Sequence, residues 1–75
     1  MNYSEFIESD ASIMLGKPLI KGTRISVEQI ILRLSEGATI PQLQDAYPPL
    51  SREAILAALA YASDVISHEQ VIAVA

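Results

Sequence analysis

Three helix-start signals, separated by two helix-stop signals, constrain what this chain can fold into. Ser26, Thr39 and Ser51 each precede a helical segment, and a serine or threonine there accepts hydrogen bonds from the first helical turn. Gly37 ends the first segment, and the two prolines after Tyr47 end the second. The sequence therefore predicts helices at about residues 26–36, 40–47 and 51–67.

The apolar residues of the first and third segments recur at helical spacing. In the first segment they fall at i, i+3, i+4 and i+7 and share one face; they are Val27, Ile30, Ile31 and Leu34. In the third and longest segment we predict a buried stripe formed by Ile55, Leu59, Ala62 and Ile66. Short turns between the segments predict a trihelical core that resembles a helix-turn-helix.

A short β-hairpin is predicted before the helices, at about residues 12–25. Ile13 and Leu15 precede a turn at Gly16, and Leu19 begins a second apolar pair after it. The proline between the two arms cannot donate to a sheet, so the second arm is expected to be an edge strand or an extended loop. The predicted fold class is therefore mainly α, with one domain over residues 1–75.

Size and composition indicate a thin core and exposed apolar surface. The chain has 75 residues, of which 51% are hydrophobic, and a domain this short buries only about 60% of its unfolded surface. It contains no cysteine, which excludes a disulfide framework and a thiolate metal site. We expect part of the apolar surface to meet a second subunit, and we predict a homodimer without cofactor or metal.

Charge is distributed unevenly along the chain. The net charge is −4, yet the segment at residues 17–33 carries four of the five basic residues. Three of these cations, Lys17, Lys21 and Arg24, lie next to glycines, which is typical of a contact surface. Two other interpretations remain open: a solvated loop that keeps the protein in solution, and an i, i+4 ion pair between Arg24 and Glu28.

Residue patterns that carry chemistry are absent from the sequence. There is no nucleophile–base constellation, and the glycine spacing does not fit a phosphate-binding loop. We therefore expect a protein that is not an enzyme and has no small-molecule substrate. The N-terminal residues 1–9 include two glutamates and no basic residue, and no apolar run approaches the ~20 residues of a membrane span. We predict a cytoplasmic protein.

Three sequence segments carry a family resemblance. They are Gly-Lys-Pro-Leu-Ile-Lys-Gly-Thr-Arg-Ile-Ser-Val at 16–27, Tyr-Pro-Pro-Leu at 47–50 and Ala-Ala-Leu-Ala-Tyr-Ala at 57–62. The chain resembles the domain-of-unknown-function 433 family over roughly residues 12–63. The resemblance implies a homeodomain-like or winged-helix-like core and an antitoxin that silences a partner PIN-like ribonuclease toxin. It also implies possible binding of operator DNA.

Two sets of residues are candidates for these contacts. The first set would bind DNA phosphates and comprises Lys17, Lys21, Thr23, Arg24 and Arg52. Base reading is less favoured, because the third helix offers mainly Arg52 where a recognition helix needs polar side chains. The second set would contact a protein partner or a second copy and comprises Ala54, Ala58, Tyr61, Val71, Ile72 and Val74. Its last three members belong to a short apolar tail at 68–75.

A different class of function stays open on the same residues. The alanine-rich face of the third helix and the apolar tail would also suit a stand-alone homo-oligomeric structural or adaptor domain with no nucleic-acid role. An acidic protein, in contrast, is suited to cover a cationic RNA-binding cleft, because its carboxylates mimic phosphate. Purification of the native chain separates the two interpretations: recovery with a ribonuclease favours the antitoxin, and recovery as a simple homodimer favours the structural or adaptor domain.

Overall fold

A computed structural model describes residues 2–68 of the chain, as a bundle of three helices with a small sheet. The strands are β1 (Ile7–Glu8) and β2 (Leu19–Ile20), and the helices are α1 (Val27–Ser35), α2 (Ile40–Ala46) and α3 (Arg52–Ser67). The two strands pair antiparallel near the N-terminus. This arrangement confirms the predicted mainly helical, trihelical fold with a short antiparallel sheet before the helices.

Each helix starts where its capping residue predicts. The Ser26 hydroxyl accepts a hydrogen bond from the Gln29 amide at 3.0 Å, and the Ser51 hydroxyl accepts one from the Ala54 amide at 3.0 Å. Thr39 forms a reciprocal capping box with the glutamine three residues later. The three helices therefore begin and end within one residue of their predicted bounds.

The sheet differs from the predicted hairpin in its first strand. Leu19 pairs with Glu8, and the expected first arm around Ile13 is not a strand. The cause is the turn at Met14–Gly16, where all three residues have positive φ, a conformation that an extended strand excludes. The predicted hairpin at residues 12–25 is therefore wrong in its bounds, and the strands are joined by a longer loop.

The core lies between α1, α3 and the sheet. Ile30 and Ile55 are fully buried, and Leu43 of α2 packs against them at 2% exposure. The face of α3 that enters this core is formed largely by alanines: Ala54, Ala57 and Ala58 are all buried. Small side chains let the α3 backbone approach its neighbours closely, so the alanine face occupies the interior.

Two predictions about α3 are wrong as a result. The predicted buried stripe places Leu59 and Ile66 inside, but their side chains are 40% and 60% exposed. Conversely, Ala54 and Ala58 were expected to contact a partner, but they are 4% and 0% exposed and pack within their own domain. Helix α3 is thus rotated relative to the prediction, with larger apolar side chains facing outwards.

An N-terminal segment is fastened across the C-terminal half of α3. The Tyr3 hydroxyl donates a hydrogen bond to the Asp64 carboxylate, which raises the pKa of Tyr3 above its ordinary value. The rings of Tyr3 and Tyr61 meet edge to face, with centroids 5.4 Å apart and planes at 88°. Residues 61 positions apart in sequence are therefore held together.

Candidate functional site

The three cations of the predicted basic surface lie in different environments. Lys17 forms an ion pair with Glu28, with 2.8 Å between Nζ and Oε2, and this contact lowers the pKa of Glu28. Lys21 and Arg24 are exposed and form no ion pair within residues 2–68. The alternative pairing of Arg24 with Glu28 is therefore wrong, because Lys17 takes that carboxylate.

Thr23 stabilises the turn that carries these two cations. Its hydroxyl donates a hydrogen bond to the Ile20 carbonyl at 2.8 Å and accepts one from the Ile25 amide at 3.0 Å. The Gly22 amide donates to the Glu8 carboxylate at 3.3 Å. The single O–H donor of Thr23 is thus used inside the turn, which leaves Lys21 and Arg24 as the exposed donors for an anion.

The outward face of α3 carries little that reads nucleic-acid bases. Its exposed positions include Arg52, Glu53, Leu59 and Ser63, and α3 contains neither asparagine nor glutamine. Base reading in the major groove depends on arginine, lysine, asparagine or glutamine near the helix start. Arg52 is the one such residue on this helix, and the adjacent carboxylate of Glu53 opposes a phosphate contact.

A left-handed turn at Met14–Gly16 displays an unusually exposed leucine. Met14 and Leu15 have φ values of 48° and 58°, and Gly16 follows at 79°. For residues other than glycine, such backbone conformations cost on the order of 1–3 kcal/mol. The Leu15 side chain is 95% exposed. We call this element the Leu15 turn.

The second exposed apolar feature is a groove between α1 and the C-terminal half of α3, with a volume of about 480 Å³. Its lining is mostly apolar, with an ion pair at one end. The residues of this α1–α3 groove are Lys17, Pro18, Val27, Glu28, Ile31, Leu32, Ser35, Tyr61, Ala62, Val65 and Ile66. Leu32, Val65 and Ile66 are 52%, 43% and 60% exposed, so water covers much of this surface.

A serine, a histidine and an aspartate meet at the end of α3 without forming a catalytic triad. His68 Nδ1 lies 3.3 Å from Ser67 Oγ and 3.4 Å from Asp64 Oδ1. A nucleophilic relay needs the hydroxyl and the carboxylate on opposite ring nitrogens, whereas here both lie on the same one. This arrangement caps the end of the helix and does not activate Ser67.

The structure brings some of the predicted contact residues together and separates others. Lys17 and Tyr61 both line the α1–α3 groove, and Tyr61 is half-buried beneath Tyr3. The predicted contacts Val71, Ile72 and Val74 lie outside the described residues.

Two exposed apolar features of the candidate site were not predicted from the sequence: the Leu15 turn, and Leu32 in the α1–α3 groove. For Leu15 the sequence holds no signal, since leucine rarely adopts a left-handed conformation.

Two further observations describe the residues at 2–68. No three histidine, aspartate or glutamate side chains of this range cluster in a way that would hold a metal ion. None of its helices combines the length and the apolar character that a membrane crossing requires.

Comparison with known proteins shows the family of the chain, a curated relative and a similar solved structure. The family model described as "Protein of unknown function (DUF433)" matches residues 7–62. The uncharacterized protein y4eO of Sinorhizobium fredii (strain NBRC 101917 / NGR234) is 31% identical over 58 residues, which are 77% of this chain and 26% of that protein. This chain thus spans about a quarter of that relative's length. The crystal structure of a DUF433 member protein from Anabaena variabilis ATCC 29413 has a TM-score of 0.79 and 27% identity, covering 88% of this chain and 69% of the other.

Proposed function

The chain belongs to the DUF433 family of proteins of unknown function, and from this premise we propose that it is an antitoxin-like binding protein that neutralises a partner PIN-like ribonuclease. In this proposal the protein is not an enzyme, and the partner carries out the chemistry. Its place of action is the cytoplasm, where such a ribonuclease meets its RNA substrates.

The Leu15 turn is the observation that carries the proposal. Backbone strain of this kind persists where the surrounding structure imposes it, and it concentrates at functional sites. Here the strain places a leucine at 95% exposure, where it gains nothing from the protein's own core. Moving a leucine side chain from water into a partner's apolar pocket contributes about 1.5–3 kcal/mol, which is enough to anchor an interface.

The charge of the chain supports a nuclease as the partner. The net charge is −4, and Glu5, Glu8 and Asp10 are exposed in the segment that precedes the Leu15 turn. An RNA-binding cleft is cationic, so exposed carboxylates attract it over a distance and raise the association rate. The apolar anchor would then supply the short-range part of the affinity.

Replacing Leu15 by asparagine tests this contact directly. Asparagine tolerates the left-handed backbone, so Leu15→Asn should fold normally while losing the apolar anchor. We expect about 10-fold more of this variant than of the wild type to be needed to suppress RNA cleavage by a PIN-like ribonuclease from the same organism. The measurement is a titration of the ribonuclease with the purified chain, followed by RNA cleavage.

The control is Leu15→Met, which keeps an apolar side chain and should inhibit as the wild type does. If a stoichiometric excess of the wild-type chain leaves RNA cleavage unchanged, the antitoxin proposal fails. If the wild type and Leu15→Asn inhibit equally well, the protein is an inhibitor but the Leu15 turn is not its contact.

Binding of DNA phosphates is a second candidate function, and the turn at residues 21–24 favours it. Lys21 and Arg24 are exposed there without an ion pair within residues 2–68, so neither has to break an internal contact to reach a phosphate. Such contacts give affinity without base specificity. Operator recognition in this proposal comes from the spacing between two copies of the turn.

Removing the Lys21 and Arg24 side chains should weaken any DNA binding. The double variant with Lys21→Ala and Arg24→Ala should bind duplex DNA less tightly and reduce the slope of log K against log salt by about 2, since two phosphate contacts are lost. The matched control is Arg33→Ala, because Arg33 is an exposed cation already paired with Glu36 at 3.0 Å. A salt titration by fluorescence anisotropy measures both, and an unchanged slope in the double variant would contradict the proposal.

A further inference from the structure

The α1–α3 groove lies next to the point where the described part of the chain ends. Val65 and Ile66 of α3 line this groove and are exposed, as is Leu32 of α1. Exposed apolar side chains that are grouped in this way are typical of a contact site. His68, the last described residue, follows Ile66 by two positions. The chain beyond His68 therefore starts about 3 Å, along the helix axis, from a groove residue.

The sequence around and after His68 has a polar part and an apolar part. Ser-His-Glu-Gln at 67–70 interrupts the apolar positions of α3, and Val-Ile-Ala-Val-Ala follows at 71–75. The His68 backbone, with φ −98° and ψ −4°, has the geometry of the third residue in a type I turn. A chain that turns here runs back along the helix that it has just left. The apolar residues 71–75 then need an apolar surface beside α3.

The two opposite sides of α3 near its end differ in polarity. One side carries Asp64 and two serines, and Tyr3 donates its hydrogen bond to this carboxylate. An apolar segment packed there would cover polar groups without offering them side-chain hydrogen bonds, which is unfavourable. The other side faces the groove, where the charged residues Lys17 and Glu28 already pair with each other. An uncharged apolar segment therefore fits the groove side.

The length of residues 71–75 also matches the groove. Five extended residues span about 16 Å. The groove residues of α1, from Val27 to Ser35, span about 12 Å along that helix. A second folded protein would cover about 20–30 residues in a standard interface, whereas eleven line the groove. The groove thus has the size of a short segment and not of a folded partner's surface.

Covalent attachment favours residues 71–75 over a free partner of similar chemistry. A segment tied to its site by a short linker has an effective concentration in the millimolar range. A free partner, in contrast, loses translational and rotational freedom on binding. We propose that residues 71–75 bind in the α1–α3 groove of the same chain. This inference does not depend on the antitoxin proposal, and it assigns Val71, Ile72 and Val74 to an intramolecular contact.

Disulfide trapping tests this contact, because the chain has no cysteine of its own. The variant with Ser35→Cys and Ala73→Cys places one thiol at the groove and one in the apolar segment. A disulfide forms when the two Cα atoms come within about 7 Å. In dilute solution we expect this variant to oxidise about 10-fold faster than the control with Ser63→Cys and Ala73→Cys. Ser63 is an exposed serine on the side of α3 away from the groove.

The control favours the opposite result if the groove is not the binding site. Residue 73 is much closer in sequence to Ser63 than to Ser35, so loop closure alone would make the control oxidise faster. Mass spectrometry after thiol alkylation counts the disulfides. Electrophoresis without reductant separates disulfides within one chain from those between two chains. Circular dichroism of the reduced variants verifies that both are folded.

A second measurement tests the contact without added cysteines. Ile72→Asp should release the segment and uncover the groove, because an unpaired carboxylate does not enter an apolar site. A dye that fluoresces on exposed apolar surface should then give about 5-fold more signal than it gives with the wild type. The matched control is Gln70→Asp, which adds the same charge in the polar stretch before the segment. This control should bind the dye as the wild type does.

Three outcomes would overturn the proposal. Disulfide-linked dimers of the Ser35→Cys, Ala73→Cys variant would mean that the groove binds residues 71–75 of a second copy. Oxidation of the control at an equal or higher rate would mean that the segment does not prefer the groove. Equal dye signals from the wild type and from folded Ile72→Asp would mean that residues 71–75 do not cover the groove.

Discussion

Replacing Ile55 by alanine should lower the free energy of unfolding by about 2–5 kcal/mol, because it removes a fully buried side chain and leaves a cavity in the core. For a domain of 75 residues this is a large part of the total stability. Urea denaturation at a fixed protein concentration measures the change. The slope of the transition should stay constant if only stability is affected.

The matched control for this prediction is Leu59→Ala, one turn further along the same helix. Leu59 is 40% exposed, so its truncation should cost less than about 1 kcal/mol. Equal losses of unfolding free energy in the two variants would mean that a different face of α3 is buried in the core. The comparison of the two variants therefore tests which face of this helix is buried.

Replacing Ala58 by leucine should lower the free energy of unfolding by about 1–3 kcal/mol, because no room exists for a larger side chain in a position that is 0% exposed. Ala60→Leu is the comparison, since Ala60 is only half-buried and its neighbours can move aside. Thermal unfolding of both variants gives the measurement. A stable Ala58→Leu variant that loses dimerisation would restore Ala58 to an intersubunit contact.

The helix bounds could be predicted because their determinants are local. Ser26, Thr39 and Ser51 satisfy amide groups only three residues away, so the signal lies within one short stretch of sequence. The fold class followed from these starts and from the short turns between them. The family model then confirmed the resemblance over residues 7–62.

The sheet and the orientation of α3 could not be predicted, for two different physical reasons. The first strand, Ile7–Glu8, has only two residues, and no periodicity can be read from so short a segment. In α3, alanine, leucine and isoleucine occur on nearly every side of the helix. A helix without a clear polar face does not reveal in its sequence which side is buried.

The candidate site was predicted in part. The segment around Lys17 was correctly placed at the surface, but its ion pair with Glu28 joins residues 11 positions apart and could not be read from helical spacing. The Leu15 turn depends on a backbone conformation that leucine seldom takes. Antitoxin activity, DNA binding and dimerisation remain predictions that the experiments above decide.

The contact between Tyr3 and Asp64 places the beginning of the domain beside the end of its last helix. Both strands and the first two helices lie between these two residues in the sequence, so the contact closes a loop of chain around the core. Loss of this contact should therefore loosen the N-terminal segment and the C-terminal half of α3 together, as one cooperative unit.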